Sequence, residues 1–356
     1  MRTAIIAPDG VGIRNFALSG FLEKLDGEVL ILHSSEGPVL DALKRRTAGK
    51  AEWAALAPQR ESPVPFTLRQ MLSYAHVYWA DTHSMRYTRS RKTRGSWRTV
   101  AANRTARAVG RMAAFPGGVR AIESAYFWSA STLPEVRGYQ DVLRAFRPSV
   151  VLSTSQQAPR VLAPVLAARS LGMRTVTFVA SWDNLTSKGR IAAPFDHYLV
   201  WSEHMKGELL RFYPHVAAER VHVTGTPQFD CYADEELRWT REEFCRRVGA
   251  DPARPLICYS GGDEGTCPDD QHHVRILMSQ VRSGAIKGDP QVLLRPSPVD
   301  PCTRYQSVRQ DYPELLVAEP EWQKSTGLWS AFVPKPEDVQ FLANLTRHSD
   351  VNENVA

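Results

Sequence analysis

The chain has 356 residues, 44 basic against 38 acidic side chains, a net charge of +6, and 43% hydrophobic and 23% charged residues. That is length enough for two domains of ordinary size, and the composition excludes a disordered or collagen-like chain. No apolar run approaches the roughly 18 residues that span a bilayer, and five widely spaced cysteines without a CxxC pair argue against a disulfide framework or a zinc site and for a reducing, cytoplasmic setting.

Short runs rich in Val and Ile alternate with helical patterns, which predicts βα units around mainly parallel sheets. The N-terminus passes directly into a first strand at Thr3–Ala7 and is too brief for a signal-peptide core. Pro8-Asp-Gly-Val-Gly-Ile-Arg-Asn15 follows. Its glycines, Gly12 among them, would let backbone approach a ligand, and Arg14 or Asn15 could meet a phosphate or a sugar hydroxyl. Without a full GxGxxG it reads equally well as a plain glycine turn.

A second strand is expected at Glu28–His33 and a third at Ser149–Ser153, with a mostly helical insertion at about 60–145 between them. From Thr82 to Ile122 the insertion carries ten basic residues and no Asp or Glu, leaving 34 basic against 38 acidic side chains elsewhere. Arg104, Arg107 and Arg111 recur at i, i+3, i+7 and would share one helical face. Such a face suits an anionic partner, a lipid headgroup or lipid pyrophosphate before nucleic acid, since no nucleic-acid motif accompanies the charge. A solvated basic helix is the plain alternative.

A helix is predicted at Pro159–Leu171 and a strand at Thr175–Val179. Ser181-Trp-Asp-Asn-Leu-Thr-Ser-Lys-Gly189 then arrives where that buried strand should stop, the place where open α/β sheets hold ligands. Asp183 is the acid–base candidate, with His33, His197 and His204 behind it; Trp182, Asn184, Thr186, Ser187 and Lys188 are the binding candidates. The alternatives are an ordinary crossover loop and an Asp183 that caps its own turn. A strand at His197–Val200, a helix at Glu203–Phe212 and a strand at Val221–Val223 complete this half.

Asp234–Arg247 reads as a charged helix and Gly249–Pro255 as a linker. A second strand-first unit opens with Leu256–Ser260, followed by Gly261 and Gly262, whose N–H groups could face a diphosphate. Asp263 and Glu264 beside them suit ribose or a basic group better than bare phosphate. The next strands are Gln291–Arg295 and Leu315–Ala318, and Arg295 leads into a proline-stiffened loop with Ser297. It could bind phosphate with both guanidinium teeth or pair with Asp300 on the surface. Phe341–Leu345 is helical and Asp350–Ala356 opens a further strand, so the second unit is expected to be incomplete.

SWDNLTSKG, HYLVWSEHMKGELLRFYP, VHVTGTPQFDCY and LLRPSPVD together resemble bacterial glycosyltransferase-like proteins of surface-polysaccharide synthesis, more distantly the CDP-glycerol glycerophosphotransferases. The resemblance runs best from Val151 to Asp300. It implies an α/β protein of two Rossmann-like domains, the GT-B type. These would be an acceptor domain over 1–230, a linker over 231–255 and an incomplete donor domain over 256–356. It further implies that SWDNLTSKG faces an interdomain cleft opposite Ser260, Gly261, Gly262, Arg295 and Ser297. Family members continue past Asp350 with a loop and an acidic helix start that contact the donor.

The function expected is transfer of a sugar from a nucleotide diphosphate donor to a polysaccharide or lipid-linked acceptor, with no metal or cofactor and possible peripheral membrane contact. Glycerophosphate transfer on the same fold and a non-catalytic binding or scaffold protein are the competing readings.

Overall fold

The computed structural model describes residues 1–57, 62–90, 96–323 and 332–354, without the side chains at 98, 99, 323 and 354. Strands β1 (Thr3–Ala7), β2 (Val29–His33), β3 (Ala51–Ala55), β4 (Val150–Ser153), β5 (Arg174–Phe178), β6 (His197–Val200) and β7 (Val221–Val223) form one sheet, ordered β3-β2-β1-β4-β5-β6-β7. Every neighbouring pair is parallel. β1 and β2 are buried at every position, as inner strands covered on both faces must be.

The second sheet contains β8 (Leu256–Ser260), β9 (Gln291–Arg295) and β10 (Leu316–Val317). An antiparallel pair, β11 (Trp322–Gln323) with β12 (Val333–Pro334), intervenes before β13 (Val351–Asn354). The order is β10-β9-β8-β13, again all parallel. Both sheets therefore grow outward from their first strand and then cross to its other side. The carboxyl ends of strands at such a switch point are where α/β sheets bind ligands.

The chain divides into two compact units, one of Met1–Ala17, Phe21–Glu36 and Leu40–Thr226, the other of Leu18–Gly20, Gly37–Val39 and Pro227–Ala356. In the first, the insertion is helical as expected, with helices Pro63–Ala80, His83–Ser90, Trp97–Met112, Pro116–Ser131 and Pro134–Phe146. Glu123 of this insertion meets Arg190 at 2.7 Å, both side chains almost wholly buried, and Arg190 also donates to the Phe212 carbonyl and lies over the Tyr213 ring. His76 is fully buried beside Trp79, Phe212 and Tyr213. Burial, and then the charge of Arg190, drives its pKa down to about 3.

Several elements differ from expectation, among them the β11–β12 pair and the three that follow. β3 was not anticipated, because Ala51-Glu-Trp-Ala-Ala55 lacks branched residues and is a half-exposed edge strand. The segment after Ala158 is a 3-10 turn, Pro159–Val161, followed by a shorter helix, Leu162–Ser170. The helix expected over 234–247 is confined to Arg241–Val248, because the Thr240 hydroxyl accepts from the Glu243 N–H and fixes its start there. All five cysteines are free, and among the described residues no helix is long and apolar enough to cross a membrane.

Candidate functional site

In the first unit the helix Gly10–Ala17 starts two residues after β1 ends, so the glycine segment is mostly helix rather than open loop. Asp9 accepts the Gly12 N–H at 2.9 Å and closes the helix start. Burial pushes the Asp9 carboxyl above its ordinary value, outweighing the Gly12 N–H, Arg14, the Val11 N–H and Arg160. Gly12 has a packing reason: a Cβ there would collide with the Thr154 hydroxyl at the end of β4. Arg14 donates to the Asn15 side chain at 2.9 Å, and Asn15 is buried, which removes it from the accessible ligand contacts expected of it.

The end of β4 was missed as part of the site. Ser153-Thr-Ser-Gln-Gln157 follows an apolar strand just as SWDNLTSKG does, and five polar residues in that position were the available signal. Gln156 is fully buried; its Oε1 accepts the Ala180 N–H at 3.0 Å and its carbonyl accepts the Ala192 N–H at 2.8 Å. Gln157 donates to the Gly189 carbonyl at 2.9 Å. These bonds hold both ends of the SWDNLTSKG turn against the switch point between β1 and β4. The Gln156 Nε2 is a buried donor without a protein partner.

Within the turn, Asn184–Ser187 forms a single helical turn anchored by buried Leu185. Asp183 accepts from the Ser181 and Ser187 hydroxyls, each at 2.6 Å, and its carbonyl accepts the Thr186 and Ser187 N–H groups. Burial pushes its pKa up, but those two hydroxyls, a backbone N–H and Lys188 outweigh it, and the carboxyl sits below its ordinary value. The carboxylate is ionised at neutral pH, with both oxygens taken by hydroxyls of its own turn. Asp183 therefore organises the turn. Trp182 is 68% exposed and does not line it; Lys188 is exposed, and Asn184, Thr186 and Ser187 are half-buried.

Among the histidines expected behind Asp183, His33 is buried with Nδ1 2.9 Å from the Ser35 carbonyl. Burial, then Lys44, lowers its pKa. His197 contacts His222, and His204 pairs with Glu208. A cavity of about 200 Å³ lined by Arg120, Arg169, Asp196 and Arg220 lies toward the amino ends of β6 and β7, away from the ligand-binding edge.

Three arginines of the basic segment are paired with carboxylates at its two flanks. Asp81 pairs with Arg86 at 2.7 Å and with Arg89, and Glu123 pairs with Arg120 at 2.7 Å. Arg107 turns inward, donating to the Arg89 carbonyl and lying over Tyr74, so the three arginines do not share one open face. Arg104 and Arg111 are exposed. Arg91, Lys92, Arg94 and the side chain of Arg98 lie outside the described residues.

In the second unit, Ser260 is in register with Arg295, so the Gly261-Gly262 and Pro296-Ser297 segments leave the same edge of adjacent strands. A Cβ at Gly261 would stand 2.5 Å from the Tyr305 hydroxyl and 3.0 Å from Asp270, so only glycine lets the turn pass here. Arg304 holds the turn from below through the Gly262 and Cys267 carbonyls and Asp300. Asp263 spends its carboxylate on the Gly265 and Thr266 N–H groups and the Thr266 hydroxyl, which lower its pKa, Thr266 foremost. It is thus turned into its own loop and away from a ribose.

Arg295 is not open to phosphate. It is buried and grips Asp338 with bonds of 2.6 and 2.7 Å, while Asp300 takes Arg304 instead. Asp338 also accepts the Trp322 Nε1–H and the Glu321 N–H. Beside this pair is a cavity of about 440 Å³ whose lining includes Glu319, Glu321, Glu337 and Asp338. Two of these carboxylates are paired, Asp338 with Arg295 and Glu321 with Lys335, and Arg247 shares the lining; the Ser260–Gly262 and Ser297 backbone is the anion-compatible part of the strand edge.

No protein-family model matches the chain, and no curated protein matches it in sequence. Its fold is similar to solved structures. The UDP-GlcNAc 2-epimerase from Methanocaldococcus jannaschii aligns with a TM-score of 0.53 at 11% identity over 100% of this chain and 79% of that one. The UDP-GlcNAc 2-epimerase from Neisseria meningitidis bound to UDP-GlcNAc gives 0.54 at 12% identity, over 100% and 78%. S. aureus MnaA with UDP gives 0.50 at 11% identity, over 100% and 74%. At these identities the likeness establishes the fold: an α/β protein with two Rossmann-like parallel sheets of the GT-B type.

Proposed function

We propose that the protein binds a nucleotide diphosphate sugar and transfers its sugar to a cell-surface polysaccharide or lipid-linked acceptor. The observation that carries this reading is the Ser260-Gly261-Gly262 turn at the carboxyl end of β8, the switch point of an all-parallel sheet. Support comes from the similarity of the fold to structures that hold UDP-GlcNAc or UDP.

The backbone N–H groups of Ser260 to Gly262 and the Ser297 segment would receive the diphosphate. Arg295 acts indirectly, locking the edge through Asp338. In the first unit, Asn184, Thr186, Ser187 and Lys188 would hold acceptor hydroxyls or an acceptor phosphate. A carboxylate at the carboxyl edge of this sheet, Asp183 in the turn after β5 or Asp9 after β1, would serve as the base. It would accept the proton of the acceptor hydroxyl as that oxygen bonds to the anomeric carbon and the nucleotide diphosphate leaves.

Trp97, Arg104 and Arg111 fall at i, i+7, i+14 on the helix Trp97–Met112, with Trp97 76% and Met112 81% exposed. An aromatic and two cations on one exposed stripe suit an anionic lipid surface, and we assign the peripheral membrane contact to this stripe.

A second reading, epimerisation at C2 of the donor sugar, is favoured by the similarity to UDP-GlcNAc 2-epimerases. Incubating UDP-, GDP-, CDP- and dTDP-linked sugars in D2O with and without acceptor lipid separates the two. Transfer needs the acceptor and leaves C2 protiated. Epimerisation needs no acceptor and places deuterium at C2. CDP-glycerol in the same panel reads out polyol-phosphate transfer, and no turnover of any donor would exclude all three reactions.

A further inference from the structure

Beneath the glycine turn of the second unit lies a cluster that the nucleotide reading does not use. Cys267, Asp270 and His273 lie at i, i+3, i+6 across the start of the helix Asp270–Arg282. Their ligand atoms all fall within 4.8 Å of one another. The Cys267 Sγ is 3.7 Å from the Asp270 Oδ1 and 3.7 Å from the His273 Nδ1. A tetrahedral ion with metal–sulfur and metal–nitrogen bonds of about 2.3 and 2.05 Å sets such ligand atoms about 3.5 Å apart, so the observed spacing is nearly that of a loaded site.

An independent observation concerns charge. Asp270 is fully buried, and its carboxylate meets only neutral donors: the Tyr259 hydroxyl at 2.6 Å, the Tyr305 hydroxyl and the Cys267 thiol. Among the described residues it has no ion-pair partner, although buried carboxylates are as a rule paired or metal-bound. The helix start favours the anion only partly. The two tyrosines orient the carboxylate as outer-shell donors orient metal ligands.

We propose that Cys267, Asp270 and His273 form a three-ligand site for a thiophilic divalent transition metal of the zinc class. Thiolate and carboxylate together neutralise the dication, and the imidazole contributes through Nδ1. His273 is exposed, so the fourth position is open to water from its side. The bound ion would fasten the turn between Ser260 and Cys267 to the helix that follows, since Asp270 also abuts Gly261. The sequence hid the site because only one ligand is a cysteine and no CxxC pair announces it.

The test uses the untagged full chain, titrated with Zn2+ against a chromophoric chelator and with Co2+ for its absorption spectrum. The expected result is one ion per chain, a thiolate-to-cobalt charge-transfer band that Cys267→Ser abolishes, and zinc affinity at least about tenfold weaker in His273→Gln, an exposed position whose change leaves the core intact. Tyr305→Phe, which removes an outer-shell donor, should weaken binding about 10- to 100-fold. Absence of binding, of the thiolate band, or of any dependence on His273 overturns the proposal.

Discussion

Arg295 and Asp338 form an ion pair inside the second unit in which one guanidinium nitrogen, Nη2, donates to both carboxylate oxygens at 2.6 and 2.7 Å, with side chains only 7% and 2% exposed. Removing one partner leaves the other charge buried without compensation, which costs about 3–5 kcal/mol. Asp338→Ala should lower local stability around β9 by that amount, read by hydrogen exchange of the peptide over 291–295. An unchanged exchange rate would show that the pair does not lock this edge.

Gln156 performs the corresponding task in the first unit by bonding the Ala180 N–H. Gln156→Leu keeps the bulk and strands that donor, a loss of about 1–3 kcal/mol. Proteolysis of the 181–189 segment should quicken in the variant, and acceptor affinity should fall with it. Equal protection of the segment in both proteins would remove the proposed coupling between β4 and the turn.

His76 makes stability depend on pH. Its pKa near 3 in the folded chain lies below the ordinary 6.5, so below pH 6.5 the unfolded chain takes up a proton that the folded one refuses. The contribution of neutral His76 is complete above pH 6.5 and is lost as pH falls toward 3, at about 1.4 kcal/mol per pH unit. Urea unfolding of wild type and His76→Phe from pH 7 to pH 4 should therefore diverge, the wild type losing more stability. Parallel curves would mean that His76 titrates normally.

Arg104 and Arg111 should carry the contact with anionic lipid. At about 1 kcal/mol per basic residue near such a surface, Arg104→Gln with Arg111→Gln should weaken partition onto phosphatidylserine vesicles about 30-fold at low salt. Partition that ignores both substitutions, or that ignores salt, would place the contact elsewhere.

Most strands were legible from short runs rich in branched or apolar residues: β1, β2 and β4 to β9 lie where those runs predicted them, and β1 and β2 are buried at every position, as inner parallel strands are. β3 was not, since alanine and glutamate carry no strand signal. At the site, the glycine turns and SWDNLTSKG were locatable from their position after buried strands. What they bond to was not. Arg295 finds Asp338 43 residues away and Arg190 finds Glu123 67 residues away, distances over which local spacing has no information. The pairing of the basic segment was hidden for a similar reason: Asp81 and Glu123, which take Arg86, Arg89 and Arg120, stand just outside its ends.

Equilibrium calorimetry with UDP, GDP, CDP and dTDP tests the nucleotide-binding claim most directly, on the full chain, on Ser297→Trp, which obstructs the carboxyl edge of β9, and on Arg111→Gln as a control outside the second unit. One nucleotide diphosphate should bind saturably, at least about tenfold more weakly to Ser297→Trp and equally to the control. No selective heat from any of the four, or equal affinity in the obstructed variant, would contradict a donor site on this edge.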